Sequence, residues 1–312
     1  MAALTQHQLL TELEPVVSKE LDRHLAVAKE WMPHEYVPWT EGSNFDGPLG
    51  GRPWSPEQSK VTETARTALV VNLLTEDNLP SYHREIYQSF GADGAWGTWI
   101  GRWTAEEGRH GTAIRDYLLT TRAVDPVALE RERMVHMTQG FQTAHELDML
   151  HTVAYVSFQE LATRISHRNT GKFTEDPFCE QLLARIAVDE NLHMVVYRNL
   201  LAAAMEIAPD QTVQAVWDVV EGFQMPGSTI EGFTRRSLTI ALAGIYDLRI
   251  HRDEVLAPVL KFWKLFELEG LSDKAEQARD NLADFMTELD RRASRFEEKR
   301  AAQQERRAAR QS

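Results

Sequence analysis

Apolar residues recur at three- and four-residue intervals over most of the chain, and no alternation of polar and apolar positions runs long enough to compete as a strand. The chain is therefore expected to be all-α. A first helix ends near Lys29, and four long helices fit around residues 60–90, 94–121, 148–167 and 176–207. Shorter ones follow around 212–223, 230–246, 253–268 and 273–300. Between the first two, the stretch 31–56 carries Pro33, Pro38, Pro48, Pro53 and Pro56 with Gly42, Gly47, Gly50 and Gly51. It reads as a long irregular arm, and within a compact fold such an arm packs across something. Pro80 falls inside the helix expected at 60–90, where it should remove a backbone hydrogen bond and bend the axis.

With 312 residues, 43% of them hydrophobic, the chain can bury a large core, and no linker divides it. Residues 1–290 are expected to form a single domain. Residues 291–312 hold eight basic and three acidic side chains, so this tail carries +5 while the rest carries −18 of the net −13. The tail is expected to be a frayed or disordered helical end, and the acidic body excludes a nucleic-acid partner. Cys179 is the only cysteine, which excludes an internal disulfide, a cysteine-built zinc site and an iron–sulfur cluster. Electrons for any redox chemistry must come from outside. The N-terminal segment has no basic and apolar signal-peptide pattern, and the longest apolar stretch, 238–246, is too short to span a bilayer. A cytoplasmic location is expected.

The candidate chemistry lies in a pattern that occurs twice. Glu76 is followed by Glu107-Gly-Arg-His110, and Glu160 by Glu190-Asn-Leu-His193, at separations of 31 and 30 residues. Residues three apart share a helix face, so Glu107 with His110, and Glu190 with His193, can each reach one ion. About thirty residues allow the rest of a helix, a turn and a return to the same depth. One Glu-x-x-His pair would mean little among 47 acidic residues and 11 histidines; two, each with a matched upstream Glu, point to a site. Four carboxylates and two imidazoles on four helices are the ligand set of ferritin-like di-iron or di-manganese bundles, and hard oxygen donors suit iron or manganese better than zinc. The expected fold is thus a ferritin-like four-helix bundle with additional flanking helices.

Around these residues the chain resembles the soluble acyl-[acyl-carrier-protein] desaturases, the stearoyl-carrier-protein desaturase family, and most nearly its bacterial members. The likeness runs through Trp31-Met-Pro33, Thr75-Glu-Asp-Asn-Leu-Pro80, Trp103-Thr-Ala-Glu-Glu-Gly-Arg-His110 and Phe158-Gln-Glu-Leu-Ala-Thr163, then Ile165-Ser-His-Arg-Asn-Thr170, Asp189-Glu-Asn-Leu-His193 and Gln224-Met-Pro226. It fades beyond Phe266. Gly108 stands where the family often has Asn, which weakens the helix but removes no ligand.

The resemblance implies two iron ions, with manganese a second possibility in the isolated protein. Glu76, Glu107 and His110 would hold one and Glu160, Glu190 and His193 the other, with Glu107 and Glu190 bridging. It implies O2-dependent introduction of a cis double bond into an acyl chain on acyl carrier protein, a ferredoxin-type electron donor, and a homodimer. Thr163 would handle protons, Trp31 and Asp189 would link the irons to the surface through His110, and Thr152 and Val153 would line the acyl channel. Ordinary packing explains Trp31 equally well and explains Thr152 or Val153 alone better than a channel does, and back-bonding to its own helix would explain Thr163 equally well. A di-iron hydroxylase or N-oxygenase would use the same ligands, and a non-catalytic ferritin-like metal-binding protein is a further alternative.

Overall fold

The computed structural model describes residues 3–140 and 148–311. Helix α1 (Gln6–Val27) opens with a capping box in which the Thr5 hydroxyl accepts from the Gln8 backbone N–H and the Gln8 side chain accepts from that of Thr5. The arm beyond it contains only short 3-10 turns and one isolated bridge, Phe45 to Arg52. Arg122, left-handed at φ 53°, clamps this arm. Its guanidinium donates to the carbonyls of Ser43, Asn44, Arg52 and Pro53 and to the Gln58 side chain, and lies over the Phe45 ring. The arm thus packs across the C-terminal end of the helix Gly94–Thr120, and the described residues contain no strand.

Four helices form the bundle: α2 (Glu63–Asp77), α4 (Gly94–Thr120), α6 (Met149–Phe173) and α7 (Pro177–Ile207). The Asp148 and Asp176 side chains cap α6 and α7, and Pro177 occupies the first turn of α7, where its missing N–H costs nothing. The short link between α6 and α7 makes them an antiparallel hairpin. It is tight because Gly171 sits where a Cβ would come within 3.1 Å of Glu180 Cα and 3.2 Å of Leu183 Cβ. Around the bundle, α1 covers α4 and α7, α3 (Leu79–Phe90) lies on α4, and α5 (Pro126–Gln139) lies on α2. Helix α8 (Pro209–Glu221) covers α6 and is covered in turn by α12 (Asp273–Gln311).

Several boundaries differ from expectation. The helix expected at 60–90 is broken, not bent. Pro80 lacks the N–H that would bond the Glu76 carbonyl, so α2 stops at Asp77, Asn78 turns the chain, and Pro80 lies in the first turn of α3. The Tyr82 hydroxyl donates to the Thr75 carbonyl at this break. Helix α5 had no counterpart in the periodicity because it buries only Leu129 and His136. The stretch 230–246 yields only α9 (Phe233–Leu242), bounded by Gly232 and Gly244 at positive φ. In place of a helix at 253–268, α10 (Leu248–Ile250) starts at an Asp247 cap and passes through a π-helical segment, His251–Leu256, into α11 (Ala257–Phe262). The basic stretch from Arg291, expected to fray, continues α12 to Gln311. Arg300 ties it down by donating to Asp247 and to the Ala241 carbonyl.

The buried apolar residues form two clusters. On α4 one contains Trp103 and the other Ala113; on α7 one contains Met194 and the other Ile186. Between them lies a layer of buried charged residues. No helix among the described residues is long and apolar enough to cross a membrane.

Candidate metal centre

All six residues of the repeat face this layer: Glu76 from α2, Glu107 and His110 from α4, Glu160 from α6, Glu190 and His193 from α7. Every one is buried. Gly111, one residue past His110, lets α2 approach α4, since a Cβ there would already touch Glu76 Cβ at 3.4 Å. Two groups of potential ligand atoms result, each within 4.8 Å: Glu76, Glu107, His110 and Glu190, and Glu107, Glu160, Glu190 and His193. Glu107 and Glu190 belong to both. His110 Nδ1 lies 3.2 Å from Glu107, 3.3 Å from Glu190 and 3.7 Å from Glu76; His193 Nδ1 lies 2.7 Å from Glu107 and 3.6 Å from Glu160.

The residues fit a pair of metal ions. Glu107 Oε1, His110 Nδ1, Glu160 Oε2, Glu190 Oε1 and His193 Nδ1 are buried and make no hydrogen bond, a concentration of orphaned polar atoms that a core excludes unless something ligates them. Four carboxylates in one buried pocket also need compensating positive charge, which two divalent cations supply in full. Without them protons serve. Burial alone would discharge both imidazoles, but the surrounding carboxylates outweigh it and hold His110 and His193 well above the ordinary histidine range. Burial, with the charges of Glu107 and Glu190, pushes Glu160 well above the carboxylate range. Glu76 is driven up by burial, but His110 and His167 outweigh that and hold it down at about 2.

The repeat extends beyond the six. An acid precedes each Glu common to the two groups, and an Arg stands four residues before that acid: Arg102, Glu106, Glu107 in one half and Arg185, Asp189, Glu190 in the other. Each Arg pairs with its acid. The acids then cross over. Asp189 Oδ2 lies 3.5 Å from His110 Nε2, and Glu106 Oε2 lies 2.8 Å from His193 Nε2. Each also takes a ring N–H from the N-terminal segment, Trp31 Nε1 to Asp189 at 2.7 Å and His24 Nε2 to Glu106 at 2.9 Å. Trp31 stacks near His110 as His24 does near His193. With Nε2 turned to an acid, each imidazole can lose its Nδ1 proton when a cation arrives and offer that nitrogen as a lone pair, the state a metal requires. Burial works against ionisation of Asp189, but His110, Trp31 and Arg185 hold it at about 2; Glu106 is lowered likewise by His193 and His24.

The structure places Trp31 and Asp189 in contact with each other and against His110. The Thr163 hydroxyl lies 2.7 Å from Glu190 Oε2 and 3.0 Å from the Glu160 carbonyl, and its single proton can serve only one of them at a time. Thr152, bonded to Ser89, lines a cavity of about 30 Å³ with Tyr82, Trp103, Tyr155 and Pro226. Val153 packs into the neighbouring apolar cluster and is not among the residues lining that cavity. A second cavity of about 80 Å³ is lined by Glu76, Thr163 and His167 on one side and by Met225, Phe233 and Ile240 on the other. Four further residues, which helix spacing does not single out, complete the site. Glu106 and His24 support His193, His167 Nε2 lies 2.9 Å from Glu76, and Trp103 donates its indole N–H to Glu160 at 2.9 Å.

The profile of the family described as fatty acid desaturase matches residues 5–312, which carries the likeness past Phe266 to the end of α12. A Mycobacterium tuberculosis protein named as the acyl-[acyl-carrier-protein] desaturase DesA1 is 50% identical, over 98% of this chain and 93% of its own. The rice stearoyl-[acyl-carrier-protein] 9-desaturase 5, a chloroplastic protein, is 29% identical over 92% of this chain and 78% of its own. The crystal structure of acyl-ACP desaturase DesA2 from M. tuberculosis superposes with a TM-score of 0.72 at 32% identity, covering 86% of this chain and 98% of that one. With its ferritin-like bundle and doubled carboxylate–histidine pocket, the chain belongs to the acyl-[acyl-carrier-protein] desaturases of the fatty acid desaturase family.

Proposed function

We propose that this protein introduces a cis double bond, at the expense of O2, into a saturated acyl chain carried on acyl carrier protein. The observation that carries the reading is the pair of four-residue groups sharing Glu107 and Glu190 beside a cavity walled by Met225, Phe233 and Ile240. Two irons held by the six residues would supply an oxidising power toward an unactivated methylene that no side chain has. Manganese would satisfy the same donors.

The remaining residues position and protect. Asp189 and Glu106 fix the two imidazoles, Trp103 orients Glu160, and His167 steadies Glu76. Thr163, between Glu190 and the cavity, is placed to hold or pass a proton there. The two cavities flank Met225-Pro226, one touching each residue, and mark the line of a channel for an acyl chain. How that chain is seated decides which carbons lose hydrogen. Trp31 and Asp189, with Arg109 stacked 5.0 Å above the indole, form a line from His110 outward along which electrons from a ferredoxin-type donor would travel. A homodimer in the cytoplasm completes the reading.

The test is product analysis. Iron-loaded protein incubated with palmitoyl- and stearoyl-carrier protein, a ferredoxin, its reductase, NADPH and O2 should yield a mono-unsaturated acyl chain detectable by mass spectrometry. A hydroxylated product would move the chain to a different oxidation on the same bundle.

A further inference from the structure

A second route reaches the centre, and it is polar. Where α2 breaks from α3, a cavity of about 330 Å³ opens between that break and α4. Its floor is Glu76 and Glu107, and Gly108, Gly111, Leu79 and Pro80 form its walls. Exposure of the six ligands follows this cavity: Glu76 and Glu107 keep 7% each, whereas Glu160 and Glu190 keep 1% and His110 and His193 none. Gly108 is itself exposed, and a Cβ there would meet only Leu79 Cδ2, at 3.9 Å.

The charge around the mouth favours cations. Arg133 is paired with Asp77 at 2.5 and 2.8 Å and with Glu130, and Arg115 lies near Asp116 and Glu130. Both guanidiniums are thus neutralised, and five carboxyl groups, including Glu76 and Glu107, stand against them. A hydrated ion can keep its shell in this space, which the apolar walls around Met225 and Phe233 do not allow.

We infer that the cavity at Gly108 is the port through which hydrated divalent cations enter and leave the centre, separate from the apolar cavities, and that the lack of a side chain at Gly108 keeps it open. This rests on the two-metal reading of the pocket. It is tested with Co2+ as the probe, by following uptake into metal-free full-length protein in a stopped-flow spectrophotometer and release into a hydrophilic chelator. Gly108→Gln should slow both by about tenfold, a barrier higher by about 1.4 kcal/mol, while the final two-ion stoichiometry is kept. Gly108→Arg, which adds like charge, should be slower still. Gly101→Gln controls for replacing an exposed glycine of the same helix, since a Cβ at Gly101 meets nothing within 4 Å, and it should load at the wild-type rate. Wild-type rates in both Gly108 variants, or equal slowing in Gly101→Gln, would overturn the port. Failure of the wild-type protein to take up two Co2+ would overturn the two-metal reading and the port together.

Discussion

Glu106 and Asp189 each stand one residue before a carboxylate common to both candidate groups, and each turns to the imidazole of the opposite half. The six residues of the repeat were readable because helix period and hairpin length set their spacing. Glu106 was not, since an acid beside a ligand is common on any helix and only its pairing with His193 gives it a role. His24 and His167 carry no spacing signal, because they come from outside the repeat's register. Glu107 belongs to both ligand groups and Glu160 to one. Glu107→Ala should therefore empty both positions, whereas Glu160→Ala should leave one ion, as counted by metal analysis after desalting; full occupancy in Glu107→Ala would overturn the assignment. Glu106→Gln and Asp189→Asn should weaken binding by about 10- to 100-fold, each at one position only, the first at that of His193 and the second at that of His110. Equal weakening of both ions in either variant would show general disorder instead of separate support.

Among the elements, the bundle helices were legible because each buries a wide apolar face, and α5 was not because it buries almost nothing, although Asp125-Pro126 announces its start. The break at Asn78 shows a proline at work where periodicity saw one continuous helix. Close packing, too, leaves no trace in periodicity. Gly171 looks like a helix end, yet α6 runs through it because α7 lies against it. Ala in a helix is ordinarily more stable than Gly by about 1 kcal/mol, so Gly101→Ala should stabilise the protein by roughly that amount. Gly171→Ala should do the opposite. Its Cβ would meet α7 backbone at 3.1 Å, so the hairpin must part, at a cost of about 1–3 kcal/mol in chemical denaturation. The same sign for both substitutions would contradict the close approach.

Over the whole molecule, two apolar clusters clamp a charged layer, and the outer helices bury a titratable group of their own outside that layer. His251, in the π-helical segment, packs against the Phe223 ring with Tyr246 Oη 2.8 Å from its Nδ1, and burial pulls its pKa down to about 4. In the unfolded chain it would titrate near ~6.5. Between these values the unfolded state binds a proton that the folded state refuses, so the contribution is complete above about pH 6.5 and is lost as pH falls toward 4. Between pH 7 and pH 5 the wild-type protein should lose about 2 kcal/mol more than His251→Gln; equal losses would show that the histidine stays solvated.

The centre itself is best tested by diffraction from iron-loaded crystals on either side of the iron absorption edge. Two anomalous peaks are expected in each chain, one among Glu76, Glu107, His110 and Glu190 and one among Glu107, Glu160, Glu190 and His193. A single peak, or one displaced to the buried cluster of His24, Glu106 and His193, would contradict a shared two-ion centre and with it the proposed chemistry.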